Sequence, residues 1–217
     1  MRTIILDTET TGLNCKTDKI IEIGCIELIN FEPKNKLHLY VNPEVQIAEE
    51  STKIHGLTYD FLKHKPNFAV ICDQFLEFIK DATLVAHNAK FDIGFLNQEL
   101  QNIGRQQLTN AVVDTLLMAR KQFPGSPANL DALAKRFNIS LEERAERHGA
   151  LIDAAILSKV FIALNQFKQP ISLFASENNT QDTIQNFKLA DLEIQVSQDE
   201  LDLHRQIVSD IKKNYEK

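Results

Sequence analysis

Short apolar runs rich in β-branched residues come first in this chain, and segments with helical periodicity follow them. Thr3–Leu6, Lys19–Ile29 and Leu37–Val41 have the composition and the partial alternation of β-strands. The polar residues Glu32–Asn35 are predicted to form the turn between the second and third strands. This beginning predicts a three-stranded meander.

The rest of the chain alternates between strand-like and helix-like patterns. The predicted elements are a helix over Phe68–Ile79, a strand over Thr83–Ala86, a helix over Phe91–Ile103, a strand over Ala111–Val113, helices near Thr115–Phe123 and Leu130–Phe137, and a long helix over Gly149–Leu164. Strands that come first and then alternate with helices indicate an α/β fold, with a mixed sheet flanked by helices.

Composition and charge exclude several classes of protein. Hydrophobic residues make up 43% and charged residues 25% of the 217 residues, as in globular proteins, and no apolar run approaches the ~20 residues of a membrane span. Neither a membrane segment nor a secretory signal is predicted. Cys15, Cys25 and Cys72 form no CxxC pair, which favours free thiols in the cytoplasm. The net charge of −6 argues against a protein that wraps duplex DNA by charge alone.

The composition changes after Phe167. Gln169–Asn186 is polar and is interpreted as a linker, and Leu192–Val196 alternates like a short strand. Ser197 and Glu200 form a capping box at the start of a final helix. This small C-terminal tail unit has too little apolar surface to be stable alone, so a partner is expected. The predicted division is a domain over 1–167, a flexible linker over 168–186 and a partner-binding tail over 187–217.

Acidic residues follow the first predicted strand. Asp7 and Glu9 are two positions apart, so their side chains are predicted to lie on the same face. Carboxylates gathered in one place repel one another unless cations join them, and their oxygens suit Mg²⁺ or Mn²⁺. The alternative is that both residues only begin a polar loop.

Two later segments contain further candidate ligands. His87–Asp92 follows a predicted strand and opens a helix, and His148–Asp153 leads into the long final helix. Positions five apart on a helix lie about 140° apart, so His148 and Asp153 can share a site only if His148 precedes the helix. Taken separately, Asp92 is better explained as a surface charge, His87 as a satisfied core histidine, and Asp153 as an acid at a helix N-terminus.

Together the three segments resemble a known family. The motifs Asp7–Leu13, His87–Asp92 and His148–Ala154, in this order, are similar to those of the DnaQ-like DEDDh 3′–5′ exonucleases. The similarity extends over about Arg2–Phe167. Intervening pieces resemble the proofreading branch of that family, which acts with the bacterial replicative polymerase; these are Ile20–Gly24, Ile54–Leu57, Phe123–Gly125 and Asn129–Leu133.

The resemblance implies a fold and a mechanism. The fold is ribonuclease H-like, with a mixed five-stranded sheet. The implied reaction removes nucleoside monophosphates from a DNA 3′ end, single-stranded or frayed, with two divalent cations, Mg²⁺ or Mn²⁺. Asp7, Glu9 and Asp153 are implied to hold the metal with the support of Asp92, and His148 is implied to be the general base.

The resemblance also implies residues that contact the substrate. Besides the metal ligands, the expected contacts are Thr10, Gly12, Leu13, Glu50, His55, Asn88 and Phe91. For His55 the alternative is an exposed loop histidine, and His38, His64 and His204 carry no pattern and are expected to be solvated. Val113–Thr115 is expected to be structural.

Partners are implied for the region after the domain. The tail is expected to bind the catalytic subunit of DNA polymerase III, and a small additional core subunit is a further expected partner. Gln169, Leu173 and Phe174 resemble the short motif that binds the sliding clamp, although these residues would equally well pack on the last helix. The expected location is cytoplasmic, associated with the nucleoid through the replisome.

Two other functions compete with this interpretation. An oligoribonuclease or tRNA-trimming relative would use the same five catalytic residues, but such relatives lack a comparable linker and tail. A non-catalytic subunit that only stabilises a polymerase would be expected to have lost a catalytic carboxylate, and none is missing here.

Overall fold

A five-stranded mixed sheet forms the centre of the described structure. The computed structural model describes residues 1–142, 144 and 149–167. The strands are β1 (Arg2–Thr10), β2 (Ile20–Ile29), β3 (Glu32–Tyr40), β4 (Thr83–Ala86) and β5 (Val112–Asp114), and their order in the sheet is β3-β2-β1-β4-β5. β1 pairs with β2, and β2 with β3, in antiparallel fashion, whereas β4 runs parallel to β1 and to β5. The predicted mixed five-stranded sheet is therefore confirmed.

The bounds of seven helices are described. They are α1 (Glu49–His55), α2 (Tyr59–Leu62), α3 (Phe68–Ile79), α4 (Lys90–Asn102), α5 (Thr115–Gln122), α6 (Leu130–Arg136) and α7 (Ala150–Gln166). The sequence patterns predicted the last five of these helices, but they did not predict α1 or α2. None of the helices in this part of the chain is long and apolar enough to cross a membrane.

The alternation of β1 divides the core into two layers. Ile4 and Leu6 pack with α3 and α4 in one hydrophobic cluster, while Ile5 packs with α6 and α7 in another. All three side chains are fully buried. Because side chains alternate along a strand, residues at odd positions after Ile5 point toward the α6–α7 layer. Asp7 and Glu9 are the next two odd positions.

The turn between β2 and β3 differs from the predicted one. It lies at Asn30 and Phe31, which have φ angles of 53° and 68°. Positive φ at two successive residues is typical of a tight hairpin turn. The polar residues predicted to turn are in β3, where Pro33 lies opposite Leu28. Proline is tolerated there because β3 is an edge strand.

Other sequence predictions fall partly or wholly outside the described residues. The linker over 168–186 and the tail over 187–217 lie outside them, and the division into domains stays a prediction. The three cysteines are free, as expected.

Candidate active site

The end of β1 carries the first two candidate ligands. Asp7 and Glu9 lie opposite Gly24 and Glu22 on β2, and the register shifts after Glu9. Their shared face is the one that α7 covers, in agreement with the alternation of the strand. The sequence predicted this common orientation.

Helix α7 brings the third carboxylate to the same place. Asp153 lies in its first turn and is 6% exposed. The helix approaches β2 closely at Gly24, where an added Cβ would lie 2.3 Å from backbone atoms of Ala150 and Leu151. Only glycine allows such an approach, because no side chain can occupy that space. Gly24 therefore allows the start of α7 to reach the end of β1.

Three carboxylates converge as a result. One oxygen each of Asp7, Glu9 and Asp153 lies within 4.8 Å of the others. Burial, followed by the charges of neighbouring carboxylates, raises the pKa of Asp7 well above its usual value and that of Glu9 to about 8. Buried carboxylates that repel one another are stabilised by a hard cation, and an all-oxygen ligand set suits Mg²⁺ or Mn²⁺. The three residues therefore fit a divalent metal.

Asp92 reaches this cluster from the opposite helical layer. It lies in the first turn of α4, is 3% exposed, and its charge contributes to the raised pKa of Asp7. Its Oδ1 accepts hydrogen bonds from Thr8 N at 3.0 Å and from Thr8 Oγ1 at 2.8 Å. Burial raises the pKa of Asp92 to about 7. The alternative of a surface charge is thus wrong for Asp92.

A second aspartate fixes the turn that precedes α4. Asp114 Oδ1 accepts from Asn88 N and from Leu116 N, and Oδ2 accepts from Ala89 N. Asp114 thus caps α5 and also holds the β4–α4 turn, in which Asn88 has a φ of 64°. These contacts agree with the structural role expected for Val113–Thr115.

Arg144 lies beside the cluster. Its Nε is 2.7 Å from Asp153 Oδ1 and its Nη2 is 3.1 Å from Asp153 Oδ2, while Nη1 pairs with Asp131 of α6. The Arg144 side chain is 15% exposed. Sequence reasoning missed this residue, because a lone arginine in a charged stretch carries no signal of its own.

Glu22 and His38 were also missed. Glu22 lies opposite Glu9 and is the largest charge contribution to the raised pKa of Glu9. Its Oε1 is 2.7 Å from His38 Nε2, so the expectation that His38 is merely solvated is wrong. A charged residue between isoleucines of a buried strand was the one available signal for Glu22.

His55 is buried rather than exposed in a loop. It ends α1 and is 2% exposed, which excludes the loop alternative. Its Nδ1 accepts a hydrogen bond from Leu57 N at 3.0 Å, so Nε2 carries the proton of the neutral ring. That Nε2 is buried, and an interaction with the backbone of Thr10 favours the protonated ring against the effect of burial. Burial lowers the pKa of His55.

Glu50, another predicted substrate contact, is exposed in the first turn of α1.

A groove lies at the start of α4. Its volume is about 260 Å³, and it is lined by Leu13, Cys15, Asn88, Lys90, Phe91, Gly94 and Phe95. Leu13 is 87% exposed, and the turn before it is fixed by a bond of 2.6 Å from Thr10 Oγ1 to Gly12 O. Three of the predicted substrate contacts therefore line one groove.

The predicted general base and the predicted clamp-binding residues lie outside the described residues. His148 lies outside the described residues, although its neighbour Gly149 is described and precedes α7. Gln169, Leu173 and Phe174 lie outside them as well. The general base and the clamp motif therefore stay predictions.

Comparison with known proteins shows the family. The model of the exonuclease family matches residues 4–161. The chain is 43% identical to the DNA polymerase III subunit epsilon of Rickettsia felis over 226 aligned residues, covering 98% of each chain. It is 42% identical to the protein of the same name from Escherichia coli over 190 residues, covering 83% of this chain and 77% of that one.

Solved structures agree in fold. An exonuclease X in complex with 5′-overhanging duplex DNA has a TM-score of 0.61 and 26% identity, over 76% of this chain and 91% of the other. The nuclease domain of 3′hExo, described as a DEDDh family member bound to rAMP, has a TM-score of 0.64 at 17% identity, over 76% and 92% of the two chains. The chain therefore belongs to the exonuclease family, in the branch formed by the epsilon subunits of DNA polymerase III.

Proposed function

We propose that this chain removes mispaired nucleotides from the 3′ end of a DNA primer during replication. The observation that carries the proposal is the convergence of Asp7, Glu9 and Asp153 within 4.8 Å, in a chain that is 43% identical to epsilon subunits. The reaction is hydrolysis of the terminal phosphodiester to a nucleoside monophosphate.

The carboxylates are proposed to hold two divalent cations, Mg²⁺ or Mn²⁺. Asp7, Glu9 and Asp153 would be the main ligands, and Asp92, which Thr8 orients, would support the second ion. Bound cations supply Lewis-acid polarisation of the scissile phosphate and the positive charge that a chain of net charge −6 lacks.

The residues around the groove are proposed to hold the terminal nucleotide. Leu13 and Phe91 offer apolar surface to a base, and Asn88 lies at the rim of the same groove. His55, which lines a separate pocket with Glu22 and His38, offers a buried Nε2–H donor. Thr10 and Gly12 would shape the turn beneath the nucleotide, and Glu50 is proposed as a further contact.

His148 is proposed as the general base, because an imidazole titrates near the working pH. A His148→Ala substitution is expected to lower turnover by a factor of about 10² or more while metal binding is kept. The acidic limb of the pH–rate profile should disappear. Persistence of that limb in the variant would assign it to another group.

The preference for mispaired ends follows from strand separation. A mispaired terminus leaves the duplex at a lower cost in free energy than a paired one. Wild-type protein should therefore shorten a mismatched primer faster than a matched primer, and chelation should abolish both reactions. Asp7→Ala and Asp153→Ala should remove nearly all activity in folded protein.

A matched control distinguishes the loss of a site carboxylate from the loss of any negative charge. Asp60→Ala removes an exposed carboxylate paired with Lys63 and should leave the rate unchanged. Wild-type activity in Asp7→Ala would exclude the assigned ligand set. Activity on RNA alone would favour the oligoribonuclease alternative, and no activity on any 3′ end would favour the non-catalytic one.

Partners are proposed from family membership and from the sequence after Phe167. The catalytic subunit of DNA polymerase III is the main proposed partner; the sliding clamp and a small additional core subunit are further ones. Association through the replisome would place the protein in the cytoplasm, at the nucleoid. Co-purification of the full chain with the polymerase subunit tests the main partner.

A further inference from the structure

Arg144 is the only lysine or arginine whose ion pairs reach the candidate metal ligands in the described part of the chain. Both oxygens of Asp153 are engaged by one guanidinium, at 2.7 Å and 3.1 Å. A third contact ties the same side chain to Asp131. The contact from Nη2 to Oδ2 is a charge-assisted hydrogen bond, and the contact from Nε to Oδ1 is an ion pair.

The pair of Arg144 and Asp153 affects metal binding because Asp153 is itself a candidate metal ligand. Asp153 is one of the three residues whose oxygens lie within 4.8 Å of one another. The guanidinium charge also acts on Glu9, whose pKa it lowers against the effect of the neighbouring carboxylates. Arg144 thus neutralises part of the negative charge that a cation would otherwise neutralise.

We propose that Arg144 is a resident counter-ion of the metal-free site and competes with the divalent cation for Asp153. In the metal-free protein the guanidinium holds the Asp153 carboxylate. Metal binding releases that contact, and Asp131, which is half exposed, keeps the guanidinium beside the site. This inference rests on the proposed metal site.

The alternative is that Arg144 supports the metal site from outside. Each carboxylate oxygen has two lone pairs, so Asp153 has the capacity to bind a metal and Arg144 together. Residues that orient a ligand in this way increase metal affinity, and their loss typically weakens binding about 10- to 100-fold. Competition predicts instead that loss of Arg144 strengthens metal binding. The metal affinity of an Arg144 variant therefore distinguishes competition from support.

The experiment uses the full-length chain and Mn²⁺ as the probe. Arg144→Gln should bind Mn²⁺ roughly tenfold more tightly than wild type by calorimetry, on the scale of one charge-assisted hydrogen-bonded pair. The same variant should have a lower Tm than wild type in EDTA, because the carboxylates lose their counter-ion. At saturating Mn²⁺ the difference in Tm between the variant and the wild type should be smaller than in EDTA.

Matched variants control for charge and for folding. Arg136→Gln removes an arginine that stacks on Phe123, 4.3 Å from the ring centroid, and should leave Mn²⁺ affinity unchanged. Arg144→Lys keeps the charge but loses the two-atom contact with Asp153 and should give a smaller rise, which provides a test if Arg144→Gln does not fold.

The outcomes separate this inference from the proposed metal site. Equal or weaker Mn²⁺ binding by folded Arg144→Gln or Arg144→Lys, beside a wild type that binds Mn²⁺, overturns the competition and leaves the metal site standing. Absence of Mn²⁺ binding by wild type overturns both.

Discussion

Buried carboxylates at the end of β1 and in α4 make the metal-free site sensitive to pH. Glu9 has a pKa of about 8 against an ordinary 4.5, and Asp92 one of about 7 against 3.8. The folded protein therefore holds protons that the unfolded chain has released at the same pH. As the pH rises from the ordinary pKa values toward the raised ones, the free energy of unfolding therefore decreases.

This linkage gives a prediction at the residue scale. In EDTA, the Tm of the wild type should fall by several degrees between about pH 5.5 and about pH 8.5, since ~1 kcal/mol shifts Tm by about 2–4 °C in a chain of this size. Glu9→Gln should show a smaller fall, because one of the raised pKa values is removed. Thermal unfolding at a series of pH values measures both, and identical slopes would contradict the raised pKa of Glu9.

Residues of the site differ in how far the sequence predicted them. Asp7 and Glu9 were predicted to share a face from strand alternation alone, and they do. Glu22 and Arg144 were not predicted, since their partners His38, Asp131 and Asp153 lie 9 to 16 residues away, beyond the repeat of a helix or strand.

At the scale of elements, the crossing of α7 over β2 decides where Asp153 lies. An added methyl group at Gly24 would meet the backbone of Ala150 and Leu151, which has no freedom to rotate away. The backbone of the helix would have to move, and Asp153 would move with it. The contact thus connects a glycine in the sheet to the geometry of the site.

Gly24→Ala is therefore expected to destabilise the fold by about 1–3 kcal/mol, as overpacking does, and to weaken Mn²⁺ binding. Gly94→Ala is the control for stability, because no atom lies within 4 Å of its added Cβ and alanine favours the helix by about 0.5–1 kcal/mol. Chemical denaturation measures both changes. A Gly24→Ala protein as stable as wild type would show that α7 is free to shift.

At the scale of the whole molecule, the two-part division of the chain remains to be tested. Within the described residues, hydrophobic clusters lie on both faces of the sheet, and their members precede Phe167. Removing everything after Phe167 should therefore leave a folded protein that degrades single-stranded DNA at the wild-type rate. The same truncation should abolish co-purification with the polymerase subunit. Retained binding, or loss of nuclease activity through unfolding, would contradict the division.

The clamp motif has a separate test. A peptide of residues 167–176 should bind the sliding clamp, and its counterpart with Leu173→Ala and Phe174→Ala should bind at least about tenfold more weakly, because two apolar anchors are lost. A fluorescence titration compares them. Equal affinities would favour the alternative in which these residues pack on the last helix.

Local patterns in the sequence determined most of the strands, the five helices α3 to α7 and the common face of Asp7 and Glu9. These features depend on periodicity and turn chemistry, which act over a few neighbouring residues. The turn at Asn30 and Phe31, the burial of His55 and the pairs around Glu22 and Arg144 were decided only by the tertiary structure. They depend on which strands, helices and loops come into contact, and the periodicity of neighbouring residues does not record those contacts.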